Sequence, residues 1–233
     1  MLTIIKHRLV MFDVLKAIYE NTLLGPILGL KGGTLLYALY HLPRFSVDLD
    51  FDLLDEKYST AGKEKEVLEE IGKIIKRFGK IEQLIIKKYT IFSLLNYEKG
   101  QQNLKIEISR RNFGSRYETK NYLGVPILTM IKEDIFANKL VALANRKKLA
   151  NRDIFDVWFL LKEHWDINWD LVETRSKTKK EKYIKKCIKL LENWPLESVL
   201  EGIGELLDNK TKAWVKEKLL EETIFLLKVR LKS

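Results

Sequence analysis

Two aspartates stand two residues apart, Asp48 and Asp50, shortly after a double glycine at Gly32 and Gly33. On an extended strand, residues i and i+2 project to one face, so the two carboxylates share a small space and repel unless a positive charge lies between them. Mg²⁺ suits that place because it favours carboxylate and phosphate oxygens, with Mn²⁺ as an alternative. A Gly-Gly turn lets the backbone come close to phosphate oxygens, and the start of a helix behind it offers unpaired N–H donors and a favourable dipole end. Residues 28–52 therefore read as strand, turn, helix, strand. Lys31, Gly32, Gly33 and Thr34 are the candidate phosphate-binding residues, and Asp48 and Asp50 the candidate catalytic metal ligands. Two-metal phosphoryl or nucleotidyl transfer normally uses a third acid. Glu107 is the candidate: Lys105, Glu107 and Ser109 fall on one face of a strand whose other face is Leu104, Ile106 and Ile108. The plain alternative is a turn followed by solvent-facing acids, and the order and spacing of these features together argue against it.

The elements that must position these residues follow from periodicity. Helical spacing over residues 10–21 ends at Gly25-Pro26, and residues 27–30 form a short buried strand. Thr34 stands at a helix N-cap position, followed by Leu35, Leu36, Leu39 and Leu42, and Pro43 ends that helix. Residues 47–53 alternate strictly, 63–78 are an amphipathic helix, and 81–88, 90–97 and 103–109 read as three strands. Pro126 marks a change of texture. Beyond it, residues 130–144, 152–163, 179–192, 196–207 and 214–231 are helical in pattern. The expected fold is α+β, a mixed sheet flanked by helices and then a C-terminal helical bundle, divided into 1–125 and 126–233.

With 233 residues, the chain is long enough for one large domain or two small ones, and no apolar run reaches the length of a membrane span. Lys6, His7 and Arg8 interrupt the apolar start, so no signal peptide is expected. Cys187 is the only cysteine, which excludes an intrachain disulfide and argues against a cysteine zinc site; a cytoplasmic location, with no membrane partner, fits. The lysines around Cys187 would lower its pKa, yet no partner base is apparent. His7, His41 and His164 lack metal-ligand spacing and read as structural, and the five tryptophans, all in the helical part, read as core. The net charge of +10 favours an anionic partner. Residues 171–190 hold eight Lys or Arg against two Glu, either a solvated helix face or a surface for a phosphate backbone.

The stretch KGGTLLYALYHLPRFSVDLDFDLL resembles the nucleotidyltransferase toxins of the AbiEii/AbiGii type, in the DNA polymerase β-like nucleotidyltransferase superfamily. Gly-Gly, a helix, Asp-x-Asp and a separate third acid make the superfamily pattern. The Arg-x-Ser before the acids, here Arg44 and Ser46, marks this branch. A second stretch, IKEDIFANKLVALANRKKLANRDIFDVWFLLK, resembles the branch's later motifs, a Lys on one helix and Arg-Asp-x-x-Asp on the next: Lys139, then Arg152, Asp153 and Asp156. The resemblance implies a nucleotidyltransferase fold with NTP between its two parts. Gly32, Gly33 and Thr34 would cradle the β- and γ-phosphates, Asp48 and Asp50 would bind Mg²⁺, and Lys139 and Asp153 would complete the site. Read as residues alone, Lys139 is a surface lysine on an amphipathic helix, which only the resemblance makes a site residue, and Asp153 and Asp156 are a helix-start pair bridged to Arg152 or Arg146. Arg44 either touches triphosphate or pairs with an acid, Ser46 shares the face of the two acids, and Lys31 either reaches phosphate or lies on the surface.

The implied activity is Mg²⁺-dependent transfer of NMP from an NTP to an acceptor. By the resemblance the acceptor is RNA, the 3′ end of tRNA in some relatives, and the chain is the toxin of a toxin–antitoxin or phage-abortive system with a cognate antitoxin protein. Transfer of AMP to a protein, or NTP binding without catalysis, are the alternatives that the residues leave open.

Overall fold

Alternation of apolar and polar residues decides which strands can be buried on one face and carry chemistry on the other. The computed structural model describes residues 4–60, 62–146 and 150–232; residues 147–149, inside the second motif stretch, lie outside the described residues. The chain divides into two compact units. The first comprises the residues up to His41, Phe45–Asn112 and Arg116–Met130; the second comprises Leu42–Arg44, Phe113–Ser115 and the residues from Ile131 onward.

The first unit runs α1 (Ile4–Glu20), β1 (Leu28–Lys31), α2 (Gly32–Tyr40), β2 (Asp48–Leu53), α3 (Lys63–Ile75), β3 (Lys80–Ile86), β4 (Thr90–Asn96), β5 (Leu104–Ser109), β6 (Tyr117–Tyr122) and β7 (Val125–Met130). The strands form one mixed sheet in the order β3-β4-β5-β2-β1-β7-β6. β1 runs parallel to β7 and β2 parallel to β5, while the other neighbours are antiparallel. Along β2, Leu49, Phe51 and Leu53 are buried and Asp48, Asp50 and Asp52 are half-buried, as strict alternation requires. α1 covers the apolar face: the Tyr19 ring lies 6.3 Å from that of Phe51. The Tyr19 hydroxyl, with one proton to share, lies 2.9 Å from the Leu28 carbonyl oxygen and 2.7 Å from that of Leu128.

His7, also on α1, is fully buried, with Nε2 2.9 Å from the Val47 carbonyl and Nδ1 2.8 Å from the Tyr97 hydroxyl. It is a structural residue that fixes the chain just before Asp48. Burial lowers its pKa from 6.5, against the opposing pull of the Val47 hydrogen bond and the Asp48 charge. The unfolded chain then takes up a proton near pH 6.5 that the folded chain refuses, so the fold loses stability as pH falls through 6.5 towards the lowered value. Melting followed between pH ~7.5 and ~5 should show this loss, and His7→Gln should flatten the slope. An unchanged slope in the variant would remove His7 from the account.

The second unit is helical: α4 (Lys132–Asn145), α5 (Asn151–Lys162), α6 (Trp169–Ser176), α7 (Lys180–Glu192) and α8 (Asn209–Lys232). α8 packs along α5 and α7, and α4 along α5 and α6. Trp158 and Trp214 lie against each other at 4.2 Å, and their indole N–H groups both donate to Glu222, at 3.0 and 3.2 Å. No helix of the described residues is long and apolar enough to cross a membrane.

The fold is the expected α+β, a seven-strand mixed sheet flanked by helices and followed by C-terminal helices. Several local expectations are corrected. Thr34 is not an N-cap: α2 begins at Gly32, with Lys31 at the cap. Pro126 lies inside β7, so the sheet continues to Met130. Residues 196–207 hold two short 3₁₀ turns, Leu196–Ser198 and Gly204–Leu206, in place of a helix, because Gly202 and Gly204 interrupt the apolar spacing. Burial pushes the Cys187 thiol up to about 12, overriding the pull of Lys186.

Candidate active site

β1 and α2 meet at Gly32 with no residues between them, which forces a tight change of direction. Gly32 takes φ +79, and a Cβ there would lie 2.6 Å from Asp50 Oδ2. A side chain is excluded twice over, by conformation and by the acid. The Asp50 carboxylate thus rests directly against the glycine turn. Lys31 at the cap makes no side-chain hydrogen bond to the helix start, and the first turn carries no acid. The amides of Gly32 and Gly33 stand at the positive dipole end of α2.

Thr34 is buried and its hydroxyl donates to the Asp48 carbonyl. That bond ties the first turn of α2 to the start of β2, so the Thr34 side chain holds the two motifs together. Lys31 donates to Asp52 Oδ1 at 2.5 Å, and the Tyr117 hydroxyl bonds the other Asp52 oxygen. Asp52 is therefore an anchor for Lys31.

Register brings the expected acids together. Asp50 stands directly across from Glu107 on β5, and Asp48 across from Lys105. Lys105 Nζ lies 2.9 Å from Asp48 Oδ2 and 3.7 Å from Glu107 Oε2. Burial would lower its pKa, and Asp48, Asp50 and Glu107 together raise it instead. Sequence reasoning placed Lys105 on this face without giving it a role. Its signal was the same i, i+2 spacing that singled out Glu107. Among the described residues no group of three or more His, Cys, Asp or Glu is gathered tightly enough to form a metal cluster. The three carboxylates nevertheless offer the all-oxygen donor set of a hard divalent cation on one face of two paired strands. An ammonium stands between two of them.

Ser46 is buried, next to the strand start. Arg44, Lys139, Asp153 and Asp156 belong to the second unit. Asp156 is fully buried, and Arg44 clasps it with Nε at 2.6 Å and Nη2 at 2.7 Å while Lys139 Nζ approaches at 2.6 Å. Burial alone would raise the Asp156 pKa; Arg44 and Lys139 overturn it and hold the carboxyl at about 2. Of the two expected roles for Arg44, the structure shows the pairing with an acid. Asp153 is equally buried. Arg146 Nε lies 2.7 Å from its Oδ2, outside hydrogen-bond geometry, and among the described residues neither carboxyl oxygen has a hydrogen-bond partner. Burial raises its pKa, against the pull of Lys139 and Arg146.

Comparison with known proteins bears on the fold and the family. JHP933 from Helicobacter pylori shares the fold, with a TM-score of 0.64 at 24% identity, over 100% of this chain and 94% of that one. An H. pylori protein solved as a candidate nucleotidyltransferase gives 0.63 at 25%, over 98% and 94%. An uncharacterized Aquifex aeolicus protein, aq_aa25, is 31% identical over 157 residues, 65% of this chain; the match spans 64% of that relative's length. The family of the nucleotidyl transferase AbiEii toxin, of type IV toxin–antitoxin systems, matches residues 13–223, most of the chain, and it is to this family that the chain belongs.

Proposed function

We propose that the chain transfers a nucleoside monophosphate from an NTP to the 3′ end of an RNA, with tRNA as the acceptor, and acts as the toxin partner of a cognate antitoxin. The observation that carries the transferase reading is Asp50, lying against Gly32 at an uncapped helix start and directly across from Glu107. The amides of Gly32 and Gly33 donate to the phosphate oxygens. Asp48, Asp50 and Glu107 would hold Mg²⁺ or Mn²⁺, which when bound supplies Lewis acidity towards the phosphate oxygens. The acceptor hydroxyl oxygen bonds the α-phosphorus as the bridging P–O bond breaks, pyrophosphate leaves, and the hydroxyl proton passes to a carboxylate of this face. Lys139 and Asp153 are further candidates for the reaction. Each is to be judged by its own variant.

The RNA acceptor is supported by α7. Its inner face buries Tyr183, Ile184, Cys187, Ile188 and Leu191, which leaves Lys182, Lys185 and Lys186 to solvent. Lys186 and Lys189 also line a groove of about 540 Å³ with Trp194. Positive charge beside an aromatic surface is what single-stranded nucleic acid requires. Lys179 is committed to Glu173 at 2.7 Å and contributes less. Lys182→Glu with Lys185→Glu should cut RNA labelling roughly tenfold near ~150 mM salt and reduce its salt dependence. Labelling that stays at the wild-type level would remove α7 as the RNA surface.

The deciding experiment incubates the chain with Mg²⁺, each α-³²P-labelled NTP, total tRNA and a cell-protein extract, with Asp48→Ala as control. Label on RNA that the variant loses supports the proposal and identifies the nucleotide. Label on protein replaces it with AMP transfer or its equivalent, and no label on either overturns transfer to these acceptors.

A further inference from the structure

We infer that Lys105 is a built-in counter-ion that occupies the carboxylate face in the free chain and competes there with a divalent cation, so that a lone metal ion binds weakly. This rests on the reading of Asp48, Asp50 and Glu107 as metal-holding residues. Three observations carry it. The Lys105 ammonium lies 2.9 Å from Asp48 and 3.7 Å from Glu107, on adjacent parallel strands. The register fixes it there: Lys105 is the direct cross-strand neighbour of Asp48 and sits two residues before Glu107 on the same face. Finally, the site is sheltered, with the Lys105 side chain 28% and the Asp48 side chain 15% exposed, so water screens the contact only in part.

A cation that binds Asp48 and Glu107 together must displace this ammonium or share the carboxylates with it. Either way it meets a positive charge at contact distance, and the free chain gives up an ion pair to admit it. Asp50 differs. No described cation lies within ion-pair distance of it, and its oxygen rests on the glycine turn where a phosphate would approach. The geometry thus favours a metal that arrives already bound to a polyphosphate, whose negative charge offsets Lys105.

The test is Mn²⁺ binding to the full chain without nucleotide, read by electron paramagnetic resonance of free Mn²⁺. Lys105→Met should bind at least about tenfold more tightly than the wild type, because a unit charge at contact distance has been removed. Lys105→Arg, which keeps the charge, should stay near the wild type, and adding Asp50→Asn to Lys105→Met should abolish the gain. Lys105→Gln serves the same purpose if the methionine variant melts early. If Lys105→Met and Lys105→Gln bind no better than the wild type while the wild type still binds Mn²⁺ alongside a non-hydrolysable NTP, the counter-ion inference is overturned and the metal reading stands. Equal tightening by Lys105→Arg would show that packing rather than charge is responsible, and overturn it too. If no version binds Mn²⁺ with or without the nucleotide analogue, both the inference and the metal reading fall.

Discussion

Asp50→Asn should lower nucleotidyl transfer about a thousandfold or more while leaving the melting temperature unchanged or slightly raised. The two halves of this expectation come from the same geometry. The carboxylate touches the glycine turn, faces Glu107 across the β2–β5 pair, and has no described cation within ion-pair distance. In the free chain its repulsion towards Asp48 and Glu107 is set against its pull on Lys105, and an amide of the same shape removes both. In the reaction it is the acid closest to the helix start where phosphate is proposed to bind, so the amide removes a ligand where charge develops. Single-turnover labelling with saturating NTP, alongside a melting curve, checks both halves. A variant that keeps more than roughly a tenth of the wild-type rate would take Asp50 out of the chemistry. A large fall in melting temperature would mean instead that Asp50 is structural.

Asp156→Ala should be among the most destabilising single substitutions in the second unit, at about 3–5 kcal/mol, because it strands buried charge. Arg44 is 4% exposed and Lys139 is 13% exposed at its side chain, and both direct their charge at a carboxylate with no exposure at all. Removing the carboxylate leaves two positive groups facing each other with little water to separate them. For a chain of this size the melting temperature should fall by about 10 °C. Asp156→Asn, which keeps two hydrogen-bonding atoms, should fall by less. A drop of under ~2 °C for Asp156→Ala would show that Arg44 and Lys139 find other partners or water. The acid side of the same argument is simple. The Asp156 pKa is depressed to about 2 from 3.8, so its contribution is complete above 3.8 and fades as pH falls through 2.

The central strands and the motif were legible because each has a strong local pattern. β2 reads as a strand from six residues that alternate without exception, and the glycine turn from two residues whose conformational needs few others meet. The hairpin of β6 and β7 was not legible. Tyr117–Tyr122 is polar and half-exposed along an edge, the turn places Leu123 at positive φ where Asn or Gly is usual, and Pro126 sits in a strand. Tertiary pairing overrides all three local signals. Within the candidate site, Glu107 could be found from spacing. The role of Lys105 could not, since it depends on the register between β2 and β5, which no single strand encodes. The clasp on Asp156 is illegible for the same reason: its main partner, Arg44, stands 112 residues earlier in the chain.

That separation bears on how the protein can be dissected. The helical unit borrows Leu42–Arg44 and Phe113–Ser115 from stretches interrupted by sheet residues. A fragment cut at Ile131 would keep Asp156 and Lys139 and lose the guanidinium that clasps the carboxylate on two sides. The C-terminal half is therefore no portable module. Expressed alone it would leave buried charge without its partner, and a graft onto a sheet that lacks an arginine at this place would have to carry Arg44 along.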